Sequence, residues 1–335
     1  MMNFQGSHIL SISQFDRDSV SRILDVAKAM IPYAARQKRC HVLEGAILNN
    51  LFFEPSTRTR ISFGTAFQLL GGFVHETVGV EGSSLSKGES LFDTAKVISG
   101  YSDVIAMRHP DMHSVAEFAK GSTVPVINGG DGANEHPTQA LLDLFTIDAE
   151  MRRFNKGIDG LNIVLMGDLK HGRTVHSLSR LLCLYKNLHV TLLAPKALQM
   201  PTNIVNLLTN AGHKVTITES MADSLQSDVV YQTRIQQERF ESQQEADLYR
   251  GHFSLNKKIY EQYCKDHTVI MHPLPRDSRP EANELDNDLN DNHNLAIFRQ
   301  AQNGVLVRMA LFALTLGVDE KLTQYEKPVT WYTNK

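Results

Sequence analysis

A chain of 335 residues is about twice the length of an ordinary domain, so the sequence predicts two domains and a large buried core. Hydrophobic residues make up 42% and charged residues 21%, a globular mix that excludes a fibrous, disulfide-stapled or wholly disordered chain. With 34 basic and 37 acidic residues the net charge is −3, so no global positive field exists to hold nucleic acid or an anionic membrane; any basic site is local.

The start, Met1 to His8, lacks the basic and apolar regions of a signal peptide, and a cytoplasmic protein is expected. Short apolar runs then alternate with amphipathic stretches, the pattern of βαβ units and of an α/β fold with doubly wound parallel sheets flanked by helices. Strands are predicted at Ala46 to Phe53, Phe73 to Val78, Asp103 to Met107 and Val124 to Ile127 in the first half. In the second they fall at Asn162 to Met166, His189 to Leu193, Lys214 to Thr218, Asp228 to Tyr231 and Thr268 to Met271. Phe63, Ala66, Phe67 and Leu70 make one helical face that Gly71-Gly72 ends, and Val175, Leu178, Leu182 and Tyr185 make another. A helix from Pro137 to Glu150 opens on its proline, and the polar segment Met151 to Gly160 follows as a hinge.

The acidic run Glu281 to Asn292 reads as a solvated loop, and an apolar helix from Val305 to Leu316 closes the chain. That last apolar region contains Arg308 and falls short of the ~20 residues a bilayer span needs, so it reads as a buried helix. Cys40, Cys183 and Cys264 are isolated and lack zinc-ligand spacing, which predicts reduced structural thiols.

Ligands of open α/β sheets sit beyond the carboxyl ends of the strands. Cations recur there: Arg58 and Arg60 after the first strand, Arg108 after the third, Lys170 and Arg173 after the fifth, Arg234 after the eighth and Arg276 after the ninth. A helix capped by Ser56 or Thr57 would carry Arg58 and Arg60 in its first turn. A helix N-terminus disfavours cations by ~0.3 to 1 kcal/mol, so the pair implies a missing anion, a plain cap with solvated arginines being the alternative. Loop Gly79 to Gly88 presents three serines and Lys87, as a surface turn also would. His136 ends a glycine-rich loop, a place for a catalyst or for a structural histidine, and Arg234 and Gln236 lie two apart where both could address one carboxylate. Arg58, Lys87, Arg108, Arg173 and Arg234 gathered in one cleft would call for a polyanionic ligand. Neither a nucleophile elbow, a Walker lysine nor a metal cage is legible, so the chemistry is direct: proximity and electrostatic stabilisation around a phosphate leaving group.

These motifs resemble the aspartate/ornithine carbamoyltransferase family along nearly the whole chain. Ser56-Thr57-Arg58-Thr59-Arg60 is similar to its carbamoyl-phosphate loop, Ser83 to Glu89 to its serine-lysine loop, and His136-Pro137-Thr138-Gln139 to its carbonyl-binding motif. Lys170 to Ser177, Arg234-Ile235-Gln236 and His272-Pro273-Leu274-Pro275-Arg276 resemble the acceptor half.

The resemblance implies carbamoyl transfer from carbamoyl phosphate to L-aspartate in pyrimidine synthesis, without cofactor, metal or covalent enzyme intermediate. It implies a carbamoyl-phosphate domain over residues 1–150, an aspartate domain over 151–302, and a C-terminal helix within 303–335 packing back on the first. Ser56, Thr57, Arg58, Thr59 and Arg108 would hold the phosphate; Thr59, Arg108 and His136 would polarise the carbonyl; Gln139 and the carbonyls of Pro273 and Leu274 would orient the amide. Arg173, Arg234 and Gln236 would bind aspartate as the domains close, with Glu54 and Glu238 setting that arrangement. Ser84, chosen over Ser83 or Ser86, and Lys87 would reach a neighbouring subunit's site in a homotrimer, and Lys87 would serve both substrates. A separate regulatory chain or a dihydroorotase partner is compatible with that trimer. Arg234 would repel the cationic tail of ornithine, which favours aspartate. A non-catalytic binder or scaffold is the competing class, and the polar character of the candidate side chains argues against it.

Overall fold

The computed structural model describes residues 2–81, 83–222, 224–234, 253–277, 279 and 283–332. Its strands are Lys38–Cys40 (β1), Ile47–Phe52 (β2), Phe73–Val78 (β3), Val104–His109 (β4), Val126–Asp131 (β5), Asn162–Met166 (β6), His189–Leu193 (β7), Lys214–Thr218 (β8), Val229–Gln232 (β9), Val269–Met271 (β10) and Glu326–Pro328 (β11). The nine strands expected from the sequence all form. The chain divides into two units, one of Met1–Leu141 with Gln302–Lys335, the other of Leu142–Ala301.

In the first unit the parallel sheet runs β3-β2-β4-β5, and Ile9 bridges Ile127 beside β5. Strands β2, β4 and β5 are almost wholly buried, whereas β3 is an exposed edge. A small antiparallel sheet of β1 and β11 ties the chain's last strand to the same unit. Helix Ile297–Thr315 contributes Phe312, whose ring meets Phe67 at 4.9 Å and Phe63 at 6.0 Å, edge to face. Burying three such rings contributes several kcal/mol by roughly 25 cal/mol per Å² of apolar area. The helix begins well before Val305 because its first turns carry exposed Phe298 and the polar Arg299, Gln302 and Asn303, so the apolar run marks only its buried portion.

The second unit holds an all-parallel sheet, β10-β9-β6-β7-β8, with four of its five strands mostly buried, as parallel strands covered on both faces require. Val164, Met166, Val230 and Ile270 pack there with Leu255, Leu285 and Leu289. The last two belong to the acidic run expected to be solvated; Leu285, Leu289 and Glu284 are buried instead. An apolar pair four residues apart gives that loop an inward side. Among the described residues no helix is long and apolar enough to cross a membrane.

Candidate active site

In the first unit, helix Thr57–Leu69 starts at Ser56, which has an extended backbone and makes no side-chain cap bond. The seryl hydroxyl and the first-turn N–H groups of a 13-residue helix therefore define its anion-favouring end. Arg58 is exposed at that end. Arg60 is not part of the same feature: its guanidinium pairs with Glu76, which also accepts from Asn50 at 3.0 Å. The expectation that both arginines answer a missing anion does not hold for Arg60, whose charge Glu76 already answers.

Arg108 is the penultimate residue of β4, where the pairing with β5 shifts between Met107 and His109. The two glycines opposite, Gly129 and Gly130, create an irregularity that re-aims the side chain. The guanidinium is 7% exposed; Nη1 donates to the Gly129 carbonyl at 3.2 Å and Nη2 lies 2.9 Å from Glu54 Oε2. His136 is 4% exposed and its carbonyl accepts from Gln139 and Ala140, so it closes the N-terminus of helix Pro137–Arg152. A Cβ built on Gly130 (φ +118°) would stand 2.8 Å from Arg108 Nη1 and 3.5 Å from His136 Cδ2. The guanidinium and the imidazole thus converge on one glycine.

The loop that carries His136 is held from behind. Asn128 Oδ1 accepts from the Gly130 N–H at 2.7 Å, Asp131 accepts from His113 and Glu135 N–H groups, and Glu135 accepts from Ser11 Oγ and Ile12 N–H. Thr138 Oγ1, at the second residue of helix Pro137–Arg152, takes a 3.1 Å bond from buried Arg308, which also donates to Ser62 and lies over the Phe63 ring. Arg308 therefore joins the second turn of the helix that carries Arg58 to the first turn of the helix that follows His136. A single charge inside an apolar helix was the available signal for it. Glu135 gave none.

Thr59 and Gln139 are half-buried at these two helix starts, and Thr57 is exposed. The serine-lysine loop projects Ser84 and Lys87 to solvent from a short turn, Ser84–Lys87. Ser83 Oγ donates to Val80 O and Ser86 Oγ to Ser83 O, both at 2.7 Å, so those hydroxyls are used within the loop.

In the second unit, β6 is followed by Gly167, whose φ of +108° and 2.3 Å approach of a built Cβ to the Thr233 carbonyl leave room only for glycine. That close contact brings the loops after β6 and β9 together. Fully buried Asp168 accepts from His171 N–H at 2.9 Å and meets His171 Nδ1 at 3.1 Å, shaping the turn into helix Arg173–Leu182. Arg173 is its half-buried first residue, and Arg234 stands two residues past the end of β9, after Thr233. Asp277 stands near Arg234: hydrogen bonds from Arg279 hold its carboxyl below the ordinary carboxylate range against the effect of partial burial, and the charges of Arg279 and Arg234 add to this. Gln236, and Glu238 with it, lie outside the described residues.

After β10, Pro273 and Leu274 are half-buried beside His272, which is 1% exposed. Buried Asp143 accepts from Tyr231 OH and Gln300 Nε2, both at 2.7 Å, while Gln300 Oε1 takes the His272 N–H at 2.9 Å. Burial first, and then the Asp143 charge, push the Tyr231 phenol well above its ordinary pKa, so it stays a donor. Among the described residues no group of three or more His, Cys, Asp or Glu side chains is placed to hold a metal ion.

Residues 7–149 match the profile of the aspartate/ornithine carbamoyltransferase carbamoyl-P binding domain, and residues 159–315 that of the Asp/Orn binding domain of the same family. The aspartate carbamoyltransferase catalytic subunit of Cellvibrio japonicus is 66% identical over 99% of this chain and 99% of its own length. That of Saccharophagus degradans is 63% identical over 100% and 99%. Among solved structures, aspartate transcarbamoylase from Trypanosoma cruzi in complex with carbamoyl phosphate and aspartate superposes with a TM-score of 0.84 at 37% identity, covering 93% of this chain and 98% of that one.

The glycine on which Arg108 and His136 converge gives a direct test. Gly130→Ala should destabilise the protein by about 1–3 kcal/mol and weaken inorganic phosphate at least several-fold, because the methyl group displaces a buried guanidinium. Gly45→Ala, with φ +89° and nothing within 4 Å, should be destabilised by backbone strain alone and keep its phosphate affinity in calorimetry. Equal phosphate binding by both variants would contradict the placement of Arg108 in an anion site.

Proposed function

The chain belongs to the aspartate/ornithine carbamoyltransferase family, and from that membership we propose how its residues divide the work of the reaction. The reaction is transfer of the carbamoyl group of carbamoyl phosphate to the amine of L-aspartate, giving N-carbamoyl-L-aspartate and phosphate in pyrimidine biosynthesis. The observation that carries the assignment of roles is the convergence of Arg108 and His136 on Gly130, in the unit whose uncapped helix begins at Ser56.

Ser56, Thr57, Arg58, Thr59 and Arg108 hold the phosphate, using a helix start and guanidinium groups that favour a dianion. Thr59, Arg108 and His136 donate toward the carbonyl oxygen; Gln139 and the carbonyls of Pro273 and Leu274 accept from the amide. Arg173, Arg234 and Gln236 take the two aspartate carboxylates, with Lys87 contributing to both substrates. The aspartate nitrogen attacks the carbamoyl carbon with its lone pair, and the carbonyl electrons move onto oxygen, where the donors stabilise them. The carbon–oxygen bond to phosphate then breaks, its electron pair leaves with the phosphate, and a phosphate oxygen takes the amine proton. No side chain need act as base.

Ser84 and Lys87 act in the site of an adjacent copy, and the working unit is a homotrimer. The exposed positions of both residues support this, as do the outward-facing Phe73 (63% exposed) and Val78 of edge strand β3 with Phe92 and Val97 of helix Leu91–Ser99.

In a comparative assay aspartate should be the acceptor and ornithine should not; preference for ornithine would overturn the assignment of Arg234. His136→Ala should lower turnover by roughly 100- to 1000-fold while changing carbamoyl-phosphate affinity far less, as loss of an oxyanion donor does. Unchanged turnover in steady-state kinetics removes His136 from the mechanism. Native mass measurement should find three copies of the 37.6 kDa chain, and a monomer at working concentration would contradict shared sites.

A further inference from the structure

The segment His272 to Asp277 is held by one buried carboxylate outside the residues assigned so far. Glu284 is 4% exposed, and its Oε1 lies 3.0 Å from His272 Nε2 and 2.9 Å from the Asp277 N–H. On the other side of the ring, His272 Nδ1 lies 2.8 Å from the Leu274 N–H. A backbone N–H can only donate, so Nδ1 is the acceptor, and the ring proton sits on Nε2, where it is given to Glu284. The imidazole is thereby fixed in tautomer and in orientation, and the carboxylate receives two donors on one oxygen.

This arrangement acts on a peptide plane. The Pro273–Leu274 bond is trans, so its carbonyl points opposite to its N–H. With the N–H tied to His272, the Pro273 carbonyl must be directed away from the ring. Leu274 continues with φ +57°, a left-handed conformation that a leucine adopts only when its surroundings impose it, at a strain of ~1–2 kcal/mol. The Pro273 carbonyl is thus pre-aimed by a relay from Glu284 through His272 to the backbone, and the Leu274 carbonyl follows it from a residue with a constrained φ.

We propose that Glu284 is a positioning residue that sets the donor selectivity of the enzyme, by holding the Pro273 and Leu274 carbonyls where they distinguish a carbamoyl amide from an isosteric acyl methyl. The inference rests on the reading of those carbonyls as amide acceptors. An amide N–H2 satisfies both oxygens, whereas the methyl group of acetyl phosphate leaves them unpaired, and a site built for N–H donors rejects such an analogue strongly. Without Glu284 the ring can turn or exchange its proton, the Leu274 N–H loses its acceptor, and the peptide plane is released.

The test compares carbamoyl phosphate with acetyl phosphate in calorimetric or competition binding to the full-length enzyme. The wild type should prefer carbamoyl phosphate. Glu284→Ala should lose about 10-fold or more of that preference, through weaker carbamoyl-phosphate binding with acetyl phosphate changed by less than about 3-fold. Glu284→Gln keeps an oxygen that accepts from both donors and should retain the preference. Glu284→Asp withdraws that oxygen by one methylene and should lose part of it, which keeps the inference testable if the alanine variant does not fold. Folded Ala or Asp variants with the wild-type preference, or equal weakening of both ligands, would overturn the selectivity role. A wild type that does not discriminate between the two ligands would instead overturn the amide-acceptor reading itself.

Discussion

In a parallel sheet, crossovers that leave two neighbouring strands in opposite directions cannot cover the carboxyl ends of that pair, and both units are built around such a gap. In the order β3-β2-β4-β5 the reversal lies between β2 and β4; in β10-β9-β6-β7-β8 it lies between β6 and β9. The ends of those four strands carry Glu54 with the Ser56 helix start, Arg108, the Gly167-to-Arg173 loop and Arg234. The connectivity of the sheets, more than any single motif, decides which side chains are presented together. The close approach of Gly167 to Thr233 is the same constraint in backbone form, since two loops leaving adjacent strand ends must touch.

Charges brought to such a gap are costly to bury, and the structure answers the buried Arg108 locally. Arg108 has Glu54 at 2.9 Å and a backbone carbonyl at 3.2 Å, so its guanidinium is fixed before any ligand arrives. A group already oriented and desolvated stabilises developing negative charge without reorganising, which is worth more than the same cation in water. Arg60 shows the contrary outcome two residues from Arg58: Glu76 satisfies it, and it contributes to the fold of the helix rather than to its anion-favouring end. Asp168 works in the second unit as a buried acceptor that bends the chain into the helix headed by Arg173.

The sheets were legible because parallel strands covered on both faces are continuous apolar runs, as in Ile163 to Met166 or Val229 to Tyr231. The placing of charge at the strand ends was legible where a cation follows such a run, as at Arg108, Arg173 and Arg234. Which of two neighbouring arginines is paired within the protein was not, because the answer depends on Glu76, on strand β3. Glu284 was hidden in a run whose composition reads as solvent-exposed; only tertiary packing of Leu285 and Leu289 turns that segment inward. Helix Ile297–Thr315 was half legible, since its exposed opening turns carry no apolar stripe. In each case the missing information was a partner distant in sequence, which local pattern does not encode.

A carbamoyl group asks for opposite polarity at its two ends: donors for the carbonyl oxygen, acceptors for the amide. Side-chain cations and imidazole suit the first demand, because they strengthen their bonds as charge develops on oxygen. They are unsuited to the second, since an amide N–H2 must be met by oxygens, and a carboxylate placed there would oppose the negative charge of both substrates. Neutral backbone carbonyls meet that demand at the smallest electrostatic penalty, but a carbonyl has no rotamer of its own and must be aimed by its peptide plane. Aiming it requires a second layer of hydrogen bonds, and on the proposed reading of the Pro273 and Leu274 carbonyls the Glu284–His272–Leu274 relay is that layer. The Glu284 carboxylate reaches the Pro273–Leu274 peptide only through the His272 ring, and its second donor, the Asp277 N–H, lies three residues further on.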